Sequence, residues 1–148
     1  EKFFPPDGKD YKTLTMIYDN GVVMKHEDFG RGYAVRFIGS KGRLDISRTF
    51  LDSVPANIAG ATVGANEVQL YKSLDHHQDW IDCIKNGKDP ICDVETGHRT
   101  SSLCCLANIA YWLNRPLTWS PKKEKFQKDS EANQLRDTSL RDPWALTA

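Results

Sequence analysis

Two kinds of apolar spacing divide the chain. Up to about residue 48 the apolar positions come in short runs broken by turn residues, and from 75 to 113 they recur at helical intervals. In KTLTMIYDNGVVMKHED (12–28) two runs flank Asp19-Asn20-Gly21. Asn-Gly is the strongest short hairpin signal, because both residues tolerate a positive φ. A third run, residues 33–39, leads through Ser40-Lys41 to Gly42 and a fourth run, residues 43–47, and GSKG has the composition of a tight turn. In the third run Ala34, Arg36 and Ile38 share one face, and Val35 and Phe37 share the other. The pattern predicts an antiparallel meander with a strongly apolar face, to be covered by a helix or by a partner. Residues 49–70 have no clear period. Pro55, Gly60 and Gly64 predict a long loop there, with one short extra strand near 67–71.

Helical spacing then takes over. In DHHQDWIDCIKNGKDP (75–90), His77, Trp80, Ile81 and Ile84 fall on one helix face. Asp75 suits the N-cap, Gly87 the position just past the end, and Pro90 stops continuation. In ICDVETGHRTSSLCCLANIAYWL (91–113), Leu103, Leu106, Ala107, Ala110 and Leu113 form a second apolar stripe. Asp93 can cap this helix, and Glu95 places favourable charge near its positive end. The segment reads first as a core helix packed on the sheet. After it, WSPKKEKFQKDSEANQLRDTSLRDPWALTA is polar, with Phe126, Leu135 and Trp144 as spaced apolar anchors of a wrapping tail.

Composition narrows the functions. With 20 Lys and Arg against 20 Asp and Glu, no global field steers the chain to nucleic acid or an anionic membrane. The longest apolar runs are too short to span a bilayer, and no basic–aromatic interleaving suggests a nucleic-acid platform. The four cysteines, at 83, 92, 104 and 105, fit neither a zinc ribbon nor a finger. They read as buried small apolar thiols, with a Cys83–Cys92 disulfide left open. A small cysteine-dependent redox protein is a further reading, and it needs a reactive thiol.

His76-His77 with Asp79 and Asp82 invites a metal reading, but neighbouring histidines diverge on a helix and H-E-x-x-H spacing is absent. These residues read as structural, and no metal is expected. Asp93, Glu95 and His98 at the front of the last helix read as a capping carboxylate with a hydrogen-bonded histidine. The functional alternative puts His98 and Arg99 on a pocket rim, where imidazole and guanidinium suit hydroxyl- or carboxylate-bearing ligands. There is no G-x-G-x-x-G, P-loop or G-x-S-x-G. Gly30-Arg31-Gly32 runs into a predicted strand, whereas a dinucleotide site needs glycines opening a helix.

Three stretches, taken in order, resemble one family. The first, residues 17–48, joins the Asn-Gly-Val hairpin to F-x-G-x-x-G-x-x-x-x-x-R ending at Arg48. The second, 76–119, is the most specific: D-x-I-x-x-G-K-x-P followed by C-D-V-E-x-G-H-R. The third is EANQLRDTSLRDPW, 131–144. Together they resemble the C-terminal domain of the glucose–fructose oxidoreductase / inositol dehydrogenase (Gfo/Idh/MocA) family, in its bacterial long-tailed branch.

The resemblance implies an α+β fold with an open, mainly antiparallel sheet and helices packed on one face. It implies a parent oxidoreductase that acts on a hydroxyl of sugars or polyols, some members passing through a transient 3-keto sugar. NAD or NADP would be held by an N-terminal Rossmann domain, and subunits would form a homo-oligomer through the open sheet face. The family's glycine fingerprint and its Glu-Lys-Pro lysine belong to that Rossmann domain. Its catalytic acid–histidine pair lies on a helix before the first strand of the C-terminal sheet. No position here carries the pair, and His98 is not that histidine by motif.

The expectation is therefore a substrate-binding and dimerisation domain over 1–120 with a tail over 121–148. The Rossmann domain is absent from this chain, there is no catalytic residue or cofactor of its own, and the fragment is inactive alone. The abrupt start without Met reads the same way. Substrate contacts are expected at His98 first, then Arg99, with Arg141 and Trp144 of the tail. The alternative is a stand-alone module that binds a protein or glycan through its sheet. Cytoplasm and periplasm stay equally open, since any signal would precede this segment.

Overall fold

The computed structural model describes residues 2–4, 13–69 and 71–137. Its strands are β1 (Lys2–Phe4), β2 (Leu14–Ile17), β3 (Val23–His26), β4 (Val35–Gly39), β5 (Gly42–Ile46), β6 (Leu51–Val54), β7 (Leu117–Ser120) and β8 (Lys125–Phe126). Its helices are α1 (His76–Asn86), α2 (Val94–Leu113) and α3 (Ser130–Gln134). The chain forms two compact units, residues 1–28 with 94–148, and residues 29–93. The α+β class stands, and among the described residues every strand pairing is antiparallel. Among the described residues no helix is long and apolar enough to cross a membrane.

The first unit is a five-stranded sheet in the order β3-β2-β1-β7-β8. Alternation sets its core face: Leu14 and Met16 on β2, Phe3 on β1, and Leu117 and Trp119 on β7 are all buried. Phe3 pairs with Met16 on one side and Leu117 on the other, so the register lines these residues up. Onto them α2 lays Leu106, Ile109, Ala110 and Tyr111, with Leu103, Ala107 and Leu113 partly buried beside them. The expected apolar stripe thus faces the core, with Ile109 and Tyr111 buried beside it. Asn114 ends α2 in a left-handed conformation (φ 48) with its N–H on the Ala110 carbonyl. The hairpin predicted at Asn20-Gly21 joins β2 to β3. Gly21 takes φ 84 there, and its N–H bonds the Tyr18 carbonyl.

Of the anchors expected after residue 120, Phe126 is 2% exposed and meets Trp119 edge-on at 5.1 Å, while Leu135 is 41% exposed. Trp144 lies outside the described residues. Asp129 caps α3 by accepting the Ala132 N–H at 3.0 Å, and Arg115 grips the same carboxylate. The Arg115 hydrogen bond, helped by the Ala132 N–H, holds Asp129 down at about 2.

The second unit carries a separate three-stranded sheet, β4-β5-β6. The single meander is corrected here: the hairpin β2–β3 belongs to one sheet and the hairpin β4–β5 to another. The break falls in EDFGRGYA, where Gly30 and Gly32 both take positive φ and interrupt the extended chain. The long-loop expectation for 49–70 is also corrected. Leu51–Val54 forms β6 against β5, and no strand occurs near 67–71 among the described residues.

One face of this sheet holds an ion cluster. Arg36 donates twice to Asp45, at 2.7 and 2.8 Å, and Arg31 bridges Asp45 to Asp52. The Arg36 guanidinium also lies over the Phe29 ring and that of Arg31 over Phe50. Asp45 is 1% exposed. The Arg36 hydrogen bonds outweigh burial and hold its carboxyl at about 2, below the ordinary 3.8. A carboxylate with a depressed folded pKa stabilises fully above its unfolded pKa, and loses that contribution as pH falls through the folded value. The stability of this unit is therefore expected to decline between about pH 4 and pH 2, and Asp45→Asn should flatten that decline. Urea unfolding of both proteins across the acid range checks it; parallel acid limbs would remove Asp45 from the account.

The other face presents Val35, Phe37, Ile46 and Leu51, with Phe37 58% exposed. Register brings Val35 beside Ile46 and Ile46 beside Leu51, so the exposed apolar surface is continuous across three strands. Helix α1 forms as its caps predict. Asp75 accepts the N–H groups of His77 and Gln78, and Gly87 takes φ 61 with its N–H on the Cys83 carbonyl. Its apolar face is not buried, and Trp80 stays 59% exposed. The thiols also depart from expectation. All four are free, with Cys92, Cys104 and Cys105 exposed and Cys83 half-buried. On α2 the buried stripe runs through Leu106, Ile109 and Ala110, and Cys104 and Cys105 lie off it.

Candidate functional site

The front of α2 and the turn between β7 and β8 build one charged cluster. Glu95, His98 and Arg99 stand at i, i+3 and i+4, one side of the first helical turns. Arg99 Nε donates to Glu95 Oε1 at 2.7 Å, the favourable order with the acid nearer the helix start. Glu124 approaches from the turn. Its Oε1 accepts from His98 Nε2 at 2.8 Å and lies 3.5 Å from Arg99 Nη1. Arg136 Nη1 donates to the Glu124 carbonyl at 2.6 Å, and Arg99 Nη1 reaches the Pro121 carbonyl at 3.4 Å. The His98 hydrogen bond holds the Glu124 carboxyl below the usual range, aided by the charges of Arg99 and Arg136 and opposed by burial.

Glu124 takes φ 49, the left-handed region that costs a side-chain-bearing residue roughly 1–2 kcal/mol. The contacts to its carbonyl and carboxylate hold it there.

A cleft of about 270 Å³ opens beside this cluster. Its floor is apolar, made by Leu103, Leu106 and Trp119, its rim carries Arg99, Ser102 and Glu124, and Tyr18 lines it as well. The Thr100 hydroxyl, also on the lining, is committed to the Thr96 carbonyl at 2.8 Å. An apolar floor with a few polar groups on the rim is the usual make-up of a small-ligand site.

Residues 7–146 match the C-terminal alpha/beta domain of the Gfo/Idh/MocA oxidoreductase family. The chain belongs to that family. No curated protein and no solved structure matches it.

As a Gfo/Idh/MocA C-terminal domain it brings together two of the four predicted contacts, His98 and Arg99. Arg141 and Trp144 lie outside the described residues. Arg99 lines the cleft itself, and His98 meets it through Glu124. Sequence reading missed Glu124. It sits 26 residues beyond His98, and a Glu inside a lysine-rich turn reads as a solvated residue. Only the fold brings it to α2.

The cleft lies below the roughly 300–1,000 Å³ of pockets for drug-sized ligands. Gly30 and Gly32 lead into β4, a strand, rather than opening a helix.

Elsewhere, Asp75, His76 and His77 each offer a ligand atom within 4.8 Å of the others. The two rings stand 3.9 Å apart rather than diverging. All three are exposed, at the positive end of α1, where the helix disfavours a cation. Tyr71 donates to both Asp79 oxygens at 2.9 and 3.0 Å, and burial followed by that bond pushes its hydroxyl up to about 12. Asp79 also accepts the Ile91 N–H, which makes the group a local brace.

Proposed function

We propose that this domain is the substrate-binding and dimerisation part of an NAD- or NADP-dependent sugar or polyol oxidoreductase, and that it contributes no catalytic group of its own. The observation that carries the reading is the cleft of the first unit. It has room for one small ring, an aromatic residue in its floor, and a hydrogen-bonding rim whose Arg99 was singled out from sequence. A saturated ring presents C–H faces to Trp119 and hydroxyls to the rim, the division of labour that such a site supports. Nicotinamide binding and the proton-transfer groups belong to another domain of the parent protein. The uncovered face of β4-β5-β6 supports homo-oligomerisation, because contiguous exposed apolar surface marks an interface.

The test is His98→Ala in the full-length parent. The imidazole is half-exposed and bonds one carboxylate, so folding should survive. The variant should raise KM or lower kcat by roughly tenfold, the scale of one lost charge-assisted hydrogen bond. Unchanged kinetics with a large drop in melting temperature would return His98 to a packing role and remove the site from the reading.

A further inference from the structure

We infer that Glu124 sets the charge selectivity of the cleft, so that it takes neutral polyhydroxylated ligands and rejects carboxylated ones. The inference rests on the reading of the cleft as the substrate site and adds to it the class of substrate admitted.

The rim contains a guanidinium, and an unpaired guanidinium is the usual receptor for a carboxylate. Here that receptor is occupied. Glu95 takes Arg99 Nε, Glu124 stands by Arg99 Nη1, and the Pro121 carbonyl accepts a further N–H. Both carboxylates stand on Arg99, Arg136 donates to the Glu124 backbone carbonyl, and His98 spends its Nε2 hydrogen on the Glu124 carboxylate. A ligand carboxylate entering the cleft would displace one of these acids and face the other. A hydroxyl faces neither difficulty: it donates to Glu124 and accepts from Arg99 without disturbing the pairing.

The backbone makes a second, independent observation. Holding a glutamate in the left-handed region costs free energy that glycine would not incur, and such strain concentrates where a side chain is needed for function.

Three lysines, at 122, 123 and 125, flank Glu124 and would favour anions. All three are exposed and none lines the cleft. A ligand in the cleft meets Arg99 and Glu124 first, and these are paired.

The experiment compares D-glucose with D-glucuronate, a pair differing by one carboxylate, as ligands of the full-length protein by saturation-transfer NMR competition. The wild type should favour glucose by about tenfold or more, as expected for one like-charge contact at a partly exposed site. Glu124→Gln keeps the shape, removes the charge and frees Arg99, and should bring the ratio to about one or reverse it. Glu124→Gly removes the backbone strain along with the carboxylate. It should fold at least as well and lose the selectivity equally, which separates the charge effect from misfolding. A wild type that prefers glucuronate, or a ratio unmoved in both variants, overturns the assignment of Glu124 and leaves the cleft reading standing. Saturation by neither sugar overturns the cleft reading and takes this inference with it.

Discussion

Phe126→Ala is expected to destabilise the first unit by about 3–5 kcal/mol, the cost of deleting a fully buried aromatic side chain. Phe126 is 2% exposed, sits on the two-residue strand β8 and packs edge-on against Trp119. Its backbone is fixed as well: its N–H donates to Asn133 Oδ1 at 2.9 Å, and its carbonyl accepts from Asn133 Nδ2 at 2.8 Å. The neighbourhood therefore has little freedom to collapse into the void, which puts the loss toward the upper end. Because Trp119 forms part of the cleft floor, ligand binding should fall with stability. Guanidinium unfolding measures the first effect. A loss below about 1 kcal/mol would mean that residues beyond 120 lie on the surface rather than in the core.

Gly42→Ala should be nearly as damaging in the second unit. Gly42 opens β5 directly after the Ser40-Lys41 turn, at φ 140, where a side chain is strained. An added Cβ would overlap the Val54 carbonyl oxygen, with Ile58 Cδ1 at 2.8 Å and Pro55 Cδ at 2.9 Å. The closest of these is backbone on the neighbouring strand, so it yields only by moving the β5–β6 pairing. Strain of about 1–3 kcal/mol joins an overpacking cost of similar size, and a loss of roughly 2–6 kcal/mol is expected. Hydrogen exchange of the β5 and β6 amides gives the readout. Protection equal to wild type would show that the turn accommodates a methyl group and that the tight approach is not a constraint.

The features legible from sequence are those fixed within a few residues. Asp75 and Gly87 bound α1 because capping chemistry is local, and Asn20-Gly21 makes its hairpin for the same reason. The stripe on α2 was legible because five apolar residues repeat at helical spacing; Leu106 and Ala110 are buried and the other three partly so, while Ile109 and Tyr111 join the core from beside it. What escaped depends on distant pairing. β1 is three residues long and gains its place only between β2 and β7, one a neighbour in sequence and the other more than a hundred residues away. β6, LDSV, has too few residues to display a period, and it exists because β5 offers it an edge. The division into two sheets turns on two positive-φ glycines, which composition alone reads as part of a continuous meander. At the site, His98 and Arg99 stood out as a histidine and an arginine opening a helix. Their partner Glu124 did not, since no sequence period links a helix start to a turn beyond the next strand. The stripe on α1 is a further lesson: helical spacing identified the face, while burial depends on what covers it, and Trp80 remains exposed.

The central claim is that this Gfo/Idh/MocA domain serves a nicotinamide-dependent oxidation or reduction of a neutral sugar or polyol. The most direct measurement is made on the native protein, purified from its source cells with antibody raised to this chain. It is incubated with NAD or NADP and a panel of neutral sugars and polyols, and the absorbance of the reduced nicotinamide is followed. The account predicts substrate-dependent reduction with at least one neutral polyol, and a fall in kcat/KM when Glu124 or His98 is replaced. Absence of turnover with either cofactor across the panel, from protein that is folded and binds no dinucleotide, would contradict it and favour a binding module that uses its open sheet.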